Sequence, residues 1–156
     1  MEIELREWTL NEIEELIYLC NHADRTYLSD RMPYPYSHED ALWYLDYIEK
    51  NKENSIFKAI VVDGVYAGAC SIEENEIGYH LLKEFHNKGI MSAVVEGLCD
   101  NAFKRLNIDK IIGLVYEPNI ASKRVLEKNG FVFEGIKEKE ENDKYRICVF
   151  GKCRDK

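Results

Sequence analysis

Apolar positions change their period along this chain, and each change marks an element. Ile3 and Leu5 alternate with charged residues and predict a first strand. Thr9 with Glu12 three residues later has the form of a capping box, and Ile13, Leu16, Ile17 and Cys20 then recur at helical spacing. Ser37 with Asp40 opens a second helix whose apolar residues include Leu42, Leu45 and Ile48. The link between these helices holds Tyr27, Met32, Pro33, Tyr34, Pro35 and Tyr36, so it is aromatic and stiffened by proline. Runs at 56–62 and 65–72 flank Asp63-Gly64, the dipeptide of a tight hairpin turn.

A further strand is predicted from Glu76 to Leu82, followed by a glycine-bearing turn and a long helix carrying Met91, Val94, Val95, Leu98, Cys99, Ala102, Phe103 and Leu106 on its apolar stripe. Lys110 to Tyr116 reads as a strand, Asn119 as the cap of a fourth helix and Asn129-Gly130 as its left-handed exit. Phe131 to Gly135 and Tyr145 to Phe150 pair across a charged run, Lys137 to Lys144, that reads as a solvated hairpin end. The order implies an α/β (mixed α+β) single domain, with a central mixed sheet of about seven strands and four helices on both faces. The strand before the glycine turn and the one after the long helix are expected to be parallel neighbours, because a strand-helix-strand crossover joins them.

The length of 156 residues suits one domain able to bury a core without staples. The five cysteines are odd in number and widely spaced, which predicts reduced, mostly packed thiols and no metal site. The net charge of −8 argues against nucleic acid as a partner. No run approaches the length of a membrane span, and the acidic, alternating start lacks the features of a signal peptide, so a cytoplasmic protein with no membrane partner is expected.

Two phrases carry the chemistry. A strand runs through Ile77-Gly78-Tyr79-His80-Leu81-Leu82 into a turn and helix opening, Asn87-Lys88-Gly89-Ile90-Met91-Ser92. Such an opening leaves several backbone N–H groups without intrahelical partners at the positive end of the helix, where a diphosphate can be held. One crossover later comes Asn119-x-x-Ser122, followed by Gly130-Phe131, which places Asn119 near the carboxyl end of the neighbouring strand. An anionic cofactor gripped locally, on a chain otherwise acidic, leaves a cationic second substrate favoured, and an amine fits.

In Glu76-Ile-Gly-Tyr79, Asn87-Lys-Gly89-Ile-Met-Ser92 and Asn119-x-x-Ser122 through Gly130-Phe131, and in its order of elements, the chain resembles the GNAT N-acetyltransferase superfamily. Within it the likeness is to ribosomal-protein N-terminal acetyltransferases of the RimJ/RimL type. The resemblance implies binding of acetyl-coenzyme A, with no metal, and direct transfer of its acetyl group to a primary amine. It implies that the turn at Asn87, Lys88, Gly89, Ile90, Met91 and Ser92 holds the pyrophosphate. Leu81 and Leu82 would pair with the pantetheine arm, and Asn119 and Ser122 would line the thioester end.

The sequence departs from the family pattern at His86 and Met91 in the turn, and at Leu126, where many members carry a tyrosine. Ser122 is then the nearer donor for the departing thiolate, or a first-turn serine that bonds locally. Glu76 is the best side-chain base, directly or through water, or a plain strand-end carboxylate. An α-amine of pKa about 8 costs under about 1 kcal/mol to neutralise near neutrality, against roughly 4 for a lysine amine, so a water chain suffices for the former. Tyr27, Tyr34, Tyr36, Trp43 and His80 belong to the segments that would shape the acceptor groove. The favoured acceptor is a protein N-terminus, with a polyamine or aminoglycoside-like amine, or a non-catalytic acetyl-coenzyme A sensor, as alternatives. Monomer and homodimer both stand.

Overall fold

The computed structural model describes residues 1–28, 32–141 and 143–155. Its sheet has seven strands: β1 (Ile3–Arg6), β2 (Ser55–Val62), β3 (Val65–Glu73), β4 (Glu76–Leu81), β5 (Lys110–Tyr116), β6 (Val132–Lys137) and β7 (Ile147–Cys153). Their spatial order is β1-β2-β3-β4-β5-β7-β6, antiparallel at every step except β4 with β5. Four α-helices, α1 (Ile13–His22), α2 (His38–Asn51), α3 (Ile90–Arg105) and α4 (Ile120–Lys128), complete a mixed α/β fold.

Two apolar cores form, one on each sheet face. Ile90, Val94, Leu98 and Ala102 of α3 and Leu126 of α4 pack with Ile77, Leu81, Ile111 and Val115. Leu16, Leu19 and Cys20 of α1 and Ala41 of α2 pack with Ala59, Val61, Ala69 and Leu82 on the other face. Because strand side chains alternate, Ile77, Tyr79 and Leu81 share the α3/α4 face, while Glu76, Gly78 and His80 share the opposite face with Leu82.

Local chemistry sets the element ends. Asp63 (φ 49°) and Gly64 (φ 82°) make the left-handed pair that the hairpin requires. Ser37 and Asp40 form a complete reciprocal box at the start of α2. At Thr9 the box is replaced: its hydroxyl accepts from Asn11 N and donates to Glu12 Oε2, capping a short 3-10 turn (Leu10–Glu12) ahead of α1. Leu42 is 43% exposed; the buried residue at the start of α2 is Ala41, because Tyr44 and Tyr47 turn inward against Phe57 of β2. Cys20, Cys70, Cys99 and Cys148 are buried free thiols, and Cys153 is exposed. The charged run between β6 and β7 is exposed or half-buried over its described residues, and Asn142 lies outside them. Among the described residues no helix is long and apolar enough to cross a membrane.

Candidate functional site

β4 and β5 are paired only at Glu76 with Ile112 and Ile77 with Gly113. Beyond that point the two parallel strands have no registered partner in each other, so a split opens toward their carboxyl ends. Leu82 N donates to Ala67 O at 2.8 Å, and Ile112 N donates to Asn75 O at 2.7 Å. Ladder alternation then turns the main-chain groups of Tyr79 and Leu81 into the split, whereas the Leu82 amide belongs to β3. Of the two residues expected to offer backbone there, Leu81 faces the split and Leu82 does not. The Leu81 carbonyl also accepts from His86 Nε2 at 3.0 Å, which ties the following turn to the strand end.

That turn carries two left-handed residues, Asn87 (φ 60°) and Gly89 (φ 75°), and Gly89 caps α3 with no side chain to satisfy the first helical amides. Ile90 is buried and Met91 packs partly against the core, so the backbone N–H groups at 90–92 open outward without obstruction from their own side chains. Asn87, Lys88 and Gly89 are exposed. Asn129, which ends α4, donates from Nδ2 to Ser92 O at 3.1 Å and to Val125 O at 2.9 Å, binding the start of α3 to the end of α4.

On the other side of the split, Asn119 Oδ1 accepts from Ser122 N at 3.2 Å and caps α4. The Ser122 hydroxyl meets the Tyr79 phenol at 2.6 Å. Sequence reasoning does not single out the Tyr79 side chain, although strand alternation together with the cap at Asn119 puts both groups on one face. Burial pushes the Tyr79 phenol up to about 12, against a smaller lowering by its bond to Ser122. It therefore stays protonated across the neutral range.

Glu76 is exposed and lies on the opposite sheet face from Ser122, beside the paired root of the split. His80 is on that face too. Its Nδ1 is buried without a hydrogen-bond partner, and burial pushes the imidazole down to about 4. Between roughly pH 4 and pH 6.5 the folded chain thus binds fewer protons at this ring than the unfolded chain, so stability is full above about 6.5 and is lost as pH falls toward 4. Because the residue keeps partial exposure, His80→Gln is expected to recover only about 1–2 kcal/mol of the loss seen between about pH 7 and about pH 4.5, measured as urea midpoints of both proteins.

The proposed acceptor-side aromatics divide. Tyr34 is 62% exposed with the Arg25 guanidinium 4.7 Å from its ring, and Trp43 is 66% exposed and stacked on Tyr47. Tyr36 is buried in the α1/α2 core with its amide on Asn21 Oδ1, so it supports the link and does not line a groove. A concavity of about 800 Å³ at the amino ends of β4 and β5, lined by Glu74, Asn75 and 105–110, borders Glu76 in the chain and lies away from the Gly89 turn and Ser122. Among the described residues no three His, Cys, Asp or Glu side chains gather to hold a metal ion.

The acetyltransferase (GNAT) domain family matches residues 2–132, and the chain belongs to that family. It is similar to probable N-acetyltransferase YjcK of Bacillus subtilis (strain 168), 46% identical over 63 residues that are 40% of this chain and 35% of that protein. The match thus spans about a third of that relative's length. Among solved structures it superposes on RimL, a ribosomal-protein α-N-acetyltransferase in complex with coenzyme A, with TM-score 0.83 and 23% identity over 97% of this chain and 93% of that one. It also superposes on spermidine N-acetyltransferase from Vibrio cholerae in complex with coenzyme A and spermine, with TM-score 0.77 and 21% identity over 97% and 95% of the two chains.

Proposed function

We propose that the chain transfers the acetyl group of acetyl-coenzyme A directly to a primary amine, with a protein N-terminal α-amine as the favoured acceptor. The observation that carries this is the parting of β4 from β5 after Ile77 and Gly113 beside the uncapped, left-handed opening of α3 at Gly89. The residues fit the coenzyme: a Cβ placed at Gly89 meets nothing within 4 Å, and the strand edge facing the split offers main-chain groups at Tyr79 and Leu81. Acetyl-coenzyme A supplies the activated thioester.

The amides at 89–92 and the Lys88 ammonium hold its diphosphate, and Tyr79 and Leu81 align the pantetheine arm. Ser122, steadied by Tyr79 and held by the Asn119 cap, gives a proton to the thiolate as the carbon–sulfur bond breaks. Glu76, approached from the open face, takes the proton released by the amine as the nitrogen–carbon bond forms, directly or through water. Both a protein-acetylating and a polyamine-acetylating enzyme share this fold, so a small amine is the second reading.

Amine-dependent release of free thiol from acetyl-coenzyme A tests the reaction; tight coenzyme binding with no release for any amine would make the chain a sensor instead. Gly89→Val is expected to weaken coenzyme A binding at least about tenfold by calorimetry, because a β-branched residue at positive φ forces the turn and its amides to move. The melting temperature should fall by several degrees as well, since a β-branched residue at that φ carries about 1–3 kcal/mol of strain whatever the space around it. Unchanged affinity would remove the turn from the site.

A further inference from the structure

The first turn of α3 has little of its own to hold it. Gly89 supplies no side-chain cap, and the first helical bond, from Ala93 N to Gly89 O, is long at 3.4 Å. Helix ends in that state fray, and their N–H groups then lose a common direction. Among the described residues one side chain from outside the helix is hydrogen-bonded to this turn. Asn129 Nδ2 donates to Ser92 O at 3.1 Å, with Ser92 Oγ at 3.4 Å, and Ser92 is the third residue of α3.

Asn129 is itself fixed by the exit of α4. Its N–H donates to Leu126 O at 3.0 Å, and Gly130 N and Phe131 N donate to Glu127 O and Leu126 O, both at 3.1 Å. Gly130 takes the left-handed conformation (φ 85°) that this closure requires, and the buried Phe131 anchors it in the core. The other Nδ2 hydrogen goes to Val125 O at 2.9 Å, one turn back on α4. Both amide hydrogens are thus committed to carbonyl oxygens, which can only accept. The amide therefore stands one way round and forms a strut from α4 to α3.

The side from which the strut acts matters. Peptide groups of a helix are aligned, with N–H toward its start and C=O toward its end. A donor on the Ser92 carbonyl sits behind the turn and leaves the N–H groups in front of it free. A side-chain cap at position 89 would also hold the turn, but only by occupying the N–H groups proposed to take the diphosphate.

Resting on the proposed seat of the coenzyme, we infer that Asn129 is a positioning residue, which braces the first turn of α3 from behind so that its free N–H groups converge on the diphosphate. It acts through those groups and has no part in the transfer of the acetyl group.

The test compares two thioester donors, acetyl-coenzyme A and S-acetylpantetheine, which has the same thioester arm without the diphosphate, with one amine held at a fixed concentration. Asn129→Leu has nearly the same shape and no donor. It is expected to raise KM for acetyl-coenzyme A about tenfold, with kcat within about twofold, because Ser122 keeps its bonds to Tyr79 and Asn119 at the other end of α4. Coenzyme A affinity by calorimetry should fall by the same factor, and kcat/KM with S-acetylpantetheine should stay within about twofold. Asn129→Ala repeats the test should Asn129→Leu fold poorly, since the backbone there (φ −98°, ψ 15°) suits any residue. An equal loss with both donors would make Asn129 a part of the fold alone and overturn the inference, as would unchanged coenzyme A affinity in either variant. If no amine released thiol from acetyl-coenzyme A, the acetyl-transfer reading would fall, while calorimetry with coenzyme A would still decide the role of Asn129.

Discussion

Ser122→Ala is expected to lower kcat for thiol release about a hundredfold while leaving the KM for acetyl-coenzyme A within about twofold. General acids contribute roughly 10² to 10⁴, and a thiolate, with an unperturbed pKa of about 8.5, is a weak enough base to place the effect at the lower end. Tyr79→Phe keeps the serine hydroxyl but removes its 2.6 Å partner, so about a tenfold loss is expected. The double variant should be no worse than Ser122→Ala, because the two groups act as one unit. Since burial holds the phenol at about 12, no limb of the pH profile below about 9 should belong to Tyr79. Ser122→Ala also leaves the Tyr79 hydroxyl half-buried and without that partner, at a cost of about 1–2 kcal/mol and a few degrees of melting temperature. That stability loss alone would not change kcat in a folded sample. Full turnover of Ser122→Ala from about pH 6 to about pH 9 would show that the bond to Tyr79 is structural and that water protonates the thiolate.

What could be read from the chain divides by the range of the forces involved. Asp63-Gly64, the Ser37/Asp40 box and the Asn119 cap act over two to four residues, and all three stand where their chemistry puts them. The parallel pairing of β4 with β5 follows from a single crossover and was equally legible. Leu42 and Tyr36 were not, because the facing of α2 is settled by Tyr44 and Tyr47 packing on Phe57 and by Asn21 reaching the Tyr36 amide, contacts between distant segments. At the site, Gly89 and Ser122 carry local signals, whereas the bond between Tyr79 and Ser122 spans 43 residues and depends on how α4 docks. Tyr27, which the resemblance places in the acceptor segment, meets Tyr145, and Tyr145 meets Tyr116, only through tertiary packing. Strand alternation alone separates Glu76 from Tyr79 onto opposite faces, whereas the place of Ser122 beside Tyr79 depends on that docking of α4.

Gly68→Ala should destabilise the chain by about 3 kcal/mol or more and lower its melting temperature by roughly ten degrees. A Cβ on Gly68 would lie 2.1 Å from the His80 carbonyl oxygen and 3.0 Å from Leu81 Cα. Both are backbone atoms, so no rotamer change relieves the contact; β3 must move off β4 and loosen the ladder that pairs Gly68 with Leu81. The same movement displaces Tyr79 to Leu81, the wall of the split proposed to face the coenzyme, so coenzyme A affinity should fall in the fraction that remains folded. Gly97→Ala supplies the contrast, because Gly97 is exposed within α3 and a Cβ there meets nothing within 4 Å. It is expected to stabilise by about 0.5–1 kcal/mol through helix propensity, with coenzyme binding unchanged. Thermal melts and calorimetry on the two alanine variants therefore separate a general effect of losing glycine from the specific closeness of β3 to β4. If Gly68→Ala melted with the wild type and bound coenzyme A equally well, the two strands would not approach as closely as described, and the placement of the Tyr79 and Leu81 backbone at the split would fall with that approach.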